Sequence, residues 1–443
     1  MRRVLLPLTA AALAFVPAAI PAAAQSPTDA AAAPSGTLST LTYNVAGLPE
    51  ILSSGNPEKN TPLISPRLGA YNLVNVQEDF NYHAALYAGD RHPHRTATSG
   101  GAAIGDGLNT LSDVPFGDFQ RVDWNKCNGT DCLTPKGFTL ARARLAEGVF
   151  VDVYNVHTNA GVTTADLAAR RANITQLSDF ITANSGGNAV IVMGDTNTRY
   201  TRADDNIRDL TTRNGLTDAW VERVRGGTPP AAGSDALMCD PARVTNACEV
   251  VDKVLYRSGP LTALTATRYN NENAAFLDAA GAPLSDHYPH AVDFRWQADE
   301  QLSASDQFGG PHGAAFNDAD DLPAAPSPRT LTLRGENRLD AVSLVLDGGR
   351  TLTHGGTGGS AASLTLAPGE HLTSVTLTQG VKDGRTRLYS ASFRTDSGRT
   401  LTRGTPTGDA VTYSAPQGRQ IVGFTGRSGS EVDKLGVVYA PIG

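Results

Sequence analysis

Five short stretches between residues 38 and 297 end an apolar run on groups that can do chemistry. They are Leu41-Thr42-Tyr43-Asn44-Val45, Val76-Gln77-Glu78-Asp79, Tyr154-Asn155-Val156-His157-Thr158-Asn159, Ile191-Val192-Met193-Gly194-Asp195-Thr196-Asn197 and Leu284-Ser285-Asp286-His287-Tyr288-Pro289. Carboxylate and amide oxygens are hard ligands for a cation such as magnesium. Histidine is the side chain that exchanges a proton near neutrality. Taken singly, each motif has a plainer reading. Glu78 could be a solvated carboxylate at a helix start, and His157 a hydrogen-bonded structural histidine. Asp195-Thr196-Asn197 could be an Asx turn closing a strand, and Asp286-His287 a loop pair. The order and residue types together carry the weight.

Positioning these groups requires strands that end where the motifs begin. Leu38–Val45, Phe150–His157 and Ala189–Gly194 read as strands. Thr164–Ala183 reads as a helix, with Leu167, Arg171, Ile174, Leu177 and Ile181 at spacings near three and four. Thr164 followed by Asp166 suits its start, and Asn184 with Gly186-Gly187 its end. Strands mixed with helices make residues 38–298 an α/β domain, whose strand ends are the usual place for active-site groups. From residue 304 to 443 the pattern changes. Thr330–Arg334, Ala341–Leu346, Ser374–Thr378, Arg387–Arg394, Gln420–Thr425 and Lys434–Tyr439 are short alternating runs separated by Gly-rich turns. That is an all-β domain.

Composition limits the function classes. The 443 residues are 40% hydrophobic and 18% charged, a globular balance. One long apolar run exists, at the N-terminus, so a multi-span membrane protein is excluded. Arg2-Arg3, the apolar stretch from Val4 to Ile20 and Ala22-Ala23-Ala24 before Gln25 read as a signal peptide over residues 1–24. Residues 25–37 read as a disordered start of the mature chain. Export places the protein outside the cell, in an oxidising compartment. The close spacings of Cys127 with Cys132 and Cys239 with Cys248 suggest two disulfides, although three pairings are possible. The net charge is −7; residues 304–443 carry 13 basic and 13 acidic side chains, so the excess acid falls on residues 25–303. A polyanion-binding surface usually has the opposite sign, which disfavours tight nucleic-acid binding. Bound cations change local charge, so a nuclease is not excluded.

Together the five motifs closely resemble the endonuclease/exonuclease/phosphatase superfamily, with the deoxyribonuclease-I-like fold, in family order across about residues 38–297. The resemblance implies an α/β four-layer sandwich and hydrolysis of a phosphate ester with a divalent metal, Mg2+ first, with Ca2+ or Mn2+ as alternatives. Position by position, it implies Asn44 and Glu78 at the metal site, Glu78 as main carboxylate ligand, and Asp286 as a further metal or outer oxygen. It implies that Asp195 orients or activates the attacking water and that Asn197 binds a phosphate oxygen. His157 would donate to the phosphate or the leaving side. His287 would be the general base or its electrostatic equivalent, paired with Asp252. Charge on the equatorial oxygens makes positioning and electrostatic stabilisation dominate such catalysis.

Two local features are similar to secreted bacterial sphingomyelinases: Ser285-Asp286-His287-Tyr288-Pro289, and the cysteine loop leading into Pro135-Lys136-Gly137-Phe138. Lys136-Gly137-Phe138 could also be a simple turn into a strand. The third motif departs from the family's Gly-Thr-His-Leu, and no aromatic membrane-inserting hairpin is evident, since Tyr269 and Phe276 flank a polar Asn-rich stretch. Arg199 and Arg202 could grip a second phosphate or simply line a solvated loop.

Residues 304–443 resemble the jacalin-related lectins. The matching residues are Phe308-Gly309-Gly310, Phe316-Asn317-Asp318, Ile421 to Gly429, and Asp433 to Tyr439. The resemblance implies a β-prism of three four-stranded sheets. It also implies a sugar site joining Gly309 and Gly310 to the loop Gly429-Ser430-Glu431-Val432-Asp433. The early block places the boundary near 298–304, ahead of the Pro-rich stretch Asp318–Pro328. The expectation is a secreted, metal-dependent phosphodiesterase acting on phospholipid head groups, with peripheral membrane contact and a glycan-binding module. An extracellular nuclease or inositol-phosphate phosphatase, and a non-catalytic lectin, are the alternatives.

Overall fold

The computed structural model describes residues 33–53, 55–99 and 105–443. The expected signal peptide, and residues 25–32 of the expected disordered segment, lie outside the described residues. Ser35–Thr37, expected to be disordered, already belong to a strand, because they pair with Arg295–Gln297.

The first domain runs β1 (Ser35–Asn44), α1 (Pro57–Leu68), β2 (Leu73–Gln77), α2 (His83–Ala88), β3 (His94–Arg95), β4 (Asn109–Ser112), β5 (Phe116–Asp123), β6 (Gly137–Ala146), β7 (Val149–His157), α3 (Thr164–Asn184), β8 (Ala189–Asp195), α4 (Ile207–Asn214), β9 (Thr217–Asp218), α5 (Ala219–Arg225), β10 (Asp252–Arg257), β11 (Thr262–Asn271) and β12 (His290–Ala298). Two six-stranded sheets result, ordered β11-β12-β1-β2-β4-β3 and β5-β6-β7-β8-β10-β9. Pairs β1/β2 and β7/β8 are parallel, each joined through a helix, so their C-terminal ends lie together.

The sheets pack face to face. Between them the core is polar beneath one end. Asn75 Nδ2 donates to Tyr154 O (3.1 Å), Gln77 Nε2 to Asn155 Oδ1 (2.8 Å), and Asn155 Nδ2 to Val76 O (2.9 Å) and Asn109 O (3.0 Å). Buried polar groups that satisfy one another fix relative position more tightly than apolar contact does. Outside, Ile64, Leu68 and Leu86 of α1 and α2 cluster with Leu41, Tyr43, Val74 and Val76. Ile174, Leu177 and Ile181 of α3 pack with the second sheet. Each such side chain is worth about 1.5–3 kcal/mol on burial.

Helix α3 matches its expected span but is capped one residue earlier. Thr163, not Thr164, forms a capping box with Asp166, since its extended backbone lets the hydroxyl reach the Asp166 N–H. Its inward-facing arginine is Arg170, not Arg171. Arg170 is fully buried and donates to Asp205 Oδ1 (2.9 Å), Asn159 O (2.9 Å) and Gly161 O (2.9 Å). It thereby fastens the loop that follows His157.

The second domain is all β, with only short 3-10 turns at Asp318–Asp321 and Asp347–Gly349. Two of its sheets have four strands. The third has five, because the short strands Ser303–Ala304 and Phe308–Gly309 both pair with Val432–Pro441, and Ala314–Asn317 borders Arg419–Ser428. Asp318 accepts from Phe424 N (2.8 Å) and contacts His354 Nε2 (2.7 Å), so the start of the Pro-rich stretch is built into this domain.

This domain docks on the strand ends away from the polar layer. Arg144 makes a bidentate pair with Asp306 (2.7–3.0 Å), and Gly148 N donates to Asp306 Oδ1 (2.9 Å). Lys434 pairs with Asp118. Asn317 Nδ2 donates to Gly187 O and Asn188 Oδ1, both 2.8 Å. Gly148 has φ +67° and a Cβ there would lie 1.8 Å from Ala304 O, so this contact requires glycine. Both suggested disulfides, Cys127–Cys132 and Cys239–Cys248, are present.

Candidate active site

The parallel pairing of β7 and β8 sets His157 opposite Asp195, and the antiparallel pairing of β10 and β8 sets Asp252 opposite Asp195. The other sheet brings Asn44 from the end of β1 and Glu78 from just past β2. Asn44 Nδ2 bridges the two sheets, donating to Glu78 Oε1 (3.0 Å) and Asp195 Oδ2 (3.2 Å). Its Oδ1 accepts from Ala46 N (3.0 Å). His157 Nε2 faces Asp195 Oδ2 at 3.4 Å and Glu78 Oε1 at 3.8 Å. His287 Nδ1 contacts Asp252 Oδ2 at 3.0 Å, while its Nε2 lies 3.8 Å from Asp195 Oδ2. Asn197 N donates to Asp195 Oδ1 (2.9 Å) and Asn197 Nδ2 to Thr158 O (3.2 Å). Asp286 is exposed beside them and accepts weakly from Ser285 Oγ (3.5 Å).

The backbone is forced here. Ala46, Glu78 and Asn197 all have φ between +49° and +59°, uncommon for residues with a Cβ and characteristic of functional sites. Gly194 lets β8 approach β7: a Cβ there would sit 2.1 Å from Val156 O.

Electrostatics differentiate the two histidines. Burial, helped by the Lys136 charge, holds His157 well below its ordinary range, so it is neutral. Its Nδ1 is buried without a partner among the described residues. Burial also opposes charge on His287, but the carboxylates of Asp252 and Asp195 outweigh it and hold the imidazolium well above its ordinary range. Burial raises Asp195 above the usual carboxylate range, against the His287 charge. Burial would raise Asp252 too, but the charge and hydrogen bond of His287 keep it low.

Carboxylate and amide oxygens suit a hard cation. Among the described residues, Glu78 and Asp195 make ion pairs only with histidines, one of them neutral. That leaves net negative charge for a cation to balance. A second grouping, Asp195, Asp252 and His287, has ligand atoms within 4.8 Å of one another. An ion there would compete with the His287–Asp252 hydrogen bond, so the Glu78 side fits better.

Several supporting residues escape sequence reasoning. Ser285 Oγ donates to Asn44 O (2.7 Å) and accepts from His287 N (3.1 Å), tying the His287 loop to β1. Trp124 Nε1 donates to His157 O (2.7 Å). Lys136 is buried and ion-paired to Asp131 at 2.8 Å. Ser285 and Lys136 sit in segments with a visible signal, though the sequence assigns neither a role; Trp124 has none. Arg199 and Arg202 do not point to a second phosphate grip. Arg199 bonds Glu249 O, and Arg202 bonds Asn197 O (3.0 Å) and Asp205 (2.7 Å), bracing the loop after β8.

In the second domain, Gly309 pairs with Lys434, and Gly310 N donates to Asp433 O (2.8 Å). Gly429 N donates to Glu431 O (2.9 Å), closing the adjoining loop. The Asp433 carboxylate is buried and accepts from Arg387 Nη1 (2.6 Å), a partner 46 residues away.

Residues 59–222 match the family model described as Endonuclease/Exonuclease/phosphatase family 2, and residues 305–438 match the Jacalin-like lectin domain. Over 274 residues the chain is 42% identical to proteins named sphingomyelinase from Mycobacterium bovis and Mycobacterium tuberculosis, covering 60% of this chain and 54% of theirs. The chain thus spans about half the length of the curated relatives it matches. Solved structures it resembles include a mannose binding jacalin related lectin from Ananas comosus (25% identity, 32% of this chain and 99% of that one, TM-score 0.28). Another is beta toxin from Staphylococcus aureus (17% identity, 58% and 99%, TM-score 0.40). This chain therefore joins a sphingomyelinase-like domain of the endonuclease/exonuclease/phosphatase family to a jacalin-like lectin domain.

Proposed function

We propose that the chain is a secreted, divalent-cation-dependent phosphodiesterase that hydrolyses phospholipid head groups of the sphingomyelin type and holds glycans through its second domain. The observation that carries this reading is the convergence of Asn44, Glu78, His157, Asp195 and the His287–Asp252 pair across two sheets. When bound, a magnesium-like cation supplies charge neutralisation at a phosphoryl oxygen; Glu78, with Asn44 beside it, would hold it, and Asp286 would add an outer oxygen. Asp195 orients the attacking water through Oδ2, its other oxygen being fixed by Asn197 N. Asp252 takes the Nδ1 side of His287, which leaves Nε2 as the atom that exchanges a proton with the reacting oxygens. Asn197 and His157 complete the polar wall around the phosphate. The identity to named sphingomyelinases supports a choline-type lipid substrate.

The test is turnover of sphingomyelin, phosphatidylcholine, plasmid DNA and an inositol phosphate by purified mature protein, with magnesium or EDTA. Phosphocholine release abolished by EDTA is expected. DNA cleavage without lipid turnover would overturn the substrate, and undiminished turnover in EDTA would overturn the cation dependence.

A further inference from the structure

We propose that the mouth of the candidate site is bordered by an apolar contact surface for a zwitterionic lipid bilayer, built from the tips of four separate loops. The proposal rests on the phosphodiesterase reading above and names the surface through which such a site would reach its substrate. Among the described residues of the first domain, five large apolar side chains are exposed: Ile51 (92%), Leu52 (64%), Leu133 (79%), Val162 (68%) and Met238 (64%). A scattered exposed leucine needs no explanation. Here the five are not scattered. Ile51 and Leu52 lie between β1 and α1, just past Asn44. Leu133 lies between β5 and β6, just before Lys136. Val162 follows β7 and His157. Met238 lies between α5 and β10, ahead of Asp252.

The strand registers place three of the loops at one end of the molecule, because Phe138 pairs with Val156, His157 with Asp195, and Asp252 with Asp195. The hydrogen bond from Asn44 Nδ2 to Asp195 Oδ2 (3.2 Å) brings the loop after β1 to the same end. Hydrogen bonds agree: Asn128 N donates to Asn159 Oδ1 (2.7 Å) between two of the loops, Thr196 N to Val251 O (3.2 Å) beside Asp195, and Glu249 N to Leu237 O (2.7 Å) folds the 226–251 loop back towards β10. The second domain occupies the opposite strand ends, at Asp118, Arg144, Gly148 and Gly187, so it leaves this face open.

A bilayer is the occupant that fits. Separate apolar tips on four loops form no continuous groove for a shaped protein partner, whereas a fluid interface accepts each tip independently, with affinity scaling with apolar area buried. Residues 45–56, 124–136, 158–163 and 226–251 together hold three basic and five acidic side chains, so attraction to anionic lipid is not the driving force. Tyr269 and Phe276 do not take the role: both are buried, Phe276 with its ring 5.0 Å from that of Tyr43.

The test uses the full mature chain and glycan-free vesicles of phosphatidylcholine and sphingomyelin, beside a water-soluble phosphocholine diester. Ile51→Ser/Leu52→Ser is expected to reduce vesicle retention at least tenfold, nearly independently of salt, with turnover of the soluble diester unchanged. Leu133→Ser/Val162→Ser, on two other loops, is expected to lose retention as well, and guards against misfolding of one loop. Val381→Ser, an exposed apolar residue of the second domain, is expected to leave retention intact. Undiminished retention in both double variants, equal loss in Val381→Ser, or no retention of the wild type would overturn the contact surface. Wild-type retention that the loop variants lose, with no turnover of either substrate, would uphold the surface and overturn the phosphodiesterase reading instead.

Discussion

The two ends of the first domain's strands handle charge in opposite ways. At one end Glu78, Asp195, Asp252 and Asp286 face two histidines, one neutral, and three residues with side chains hold positive φ. At the other end each named acid meets a matching base: Asp306 meets Arg144, Asp118 meets Lys434 and Asp152 meets Arg142. The presence of acidic side chains at both ends therefore says little about purpose; their balance does. Balanced pairs hold a partner domain in place; an unbalanced, strained cluster is held ready for something that is not part of the chain.

Substitutions at the two ends should separate the two roles. His287→Asn, which can still donate a hydrogen bond to the buried Asp252, should lower phosphate-ester turnover by about 10²–10⁴-fold, with a smaller effect on thermal unfolding than on turnover. Lys434→Met should do the reverse. It leaves Asp118 buried with Arg142, at 3.6 Å, as its remaining ion-pair partner among the described residues, at a cost of about 3 kcal/mol. Denaturant unfolding should register that cost with soluble-substrate turnover unchanged. If either variant altered both readouts equally, the division between the ends would fail.

A smaller effect is expected in the second domain. Asp433→Asn should weaken retention on a glycan array by about tenfold, the size of one charge-assisted hydrogen bond, and leave hydrolysis untouched. The smallest effect sharpens the site end. Thr163→Ala removes the cap of α3 and should cost about 1 kcal/mol without changing activity. Its partner Asp166 is lowered from 3.8 to about 2 by hydrogen bonds from Asn128 and Thr163. A depressed carboxyl stabilises the fold fully above the unfolded value and loses that contribution as pH falls through the folded one. The difference in melting temperature between wild type and Asp166→Asn should therefore be constant above about pH 4 and shrink towards pH 2.

Much of this architecture is legible in the residues. Apolar runs ending on Asn44, Glu78, His157 and Asp195 marked where strands stop, and the 3.6-residue period marked α3, because both signals are local. What could not be read depends on partners distant in sequence. Arg387 on Asp433, Lys434 on Asp118 and Ser285 on Asn44 span 46, 316 and 241 residues. No local pattern encodes them. Choosing Thr163 over Thr164, or Arg170 over Arg171, turned on one step of helix phase, which adjacent like residues leave ambiguous. The positive φ of Glu78 has no compositional mark at all, since glycine is the usual sign of that conformation.

The five-stranded sheet of the second domain has a kinetic consequence. Ser303 pairs with Tyr439 and Ala304 with Val438. The junction strand must wait roughly 135 residues for its partner, and closing a loop of that length costs about 4 kcal/mol of chain entropy. The other two sheets close over much shorter separations, since even the pairings of their first and fourth strands, such as Thr330 with Thr365 and Ser374 with Ser414, lie within one sheet's own segment. Pairing Ser303–Ala304 with the already hairpinned Val432–Pro441 is thus the pairing of that sheet with the largest loop-closure cost, and until it forms nothing in that sheet anchors the junction strand.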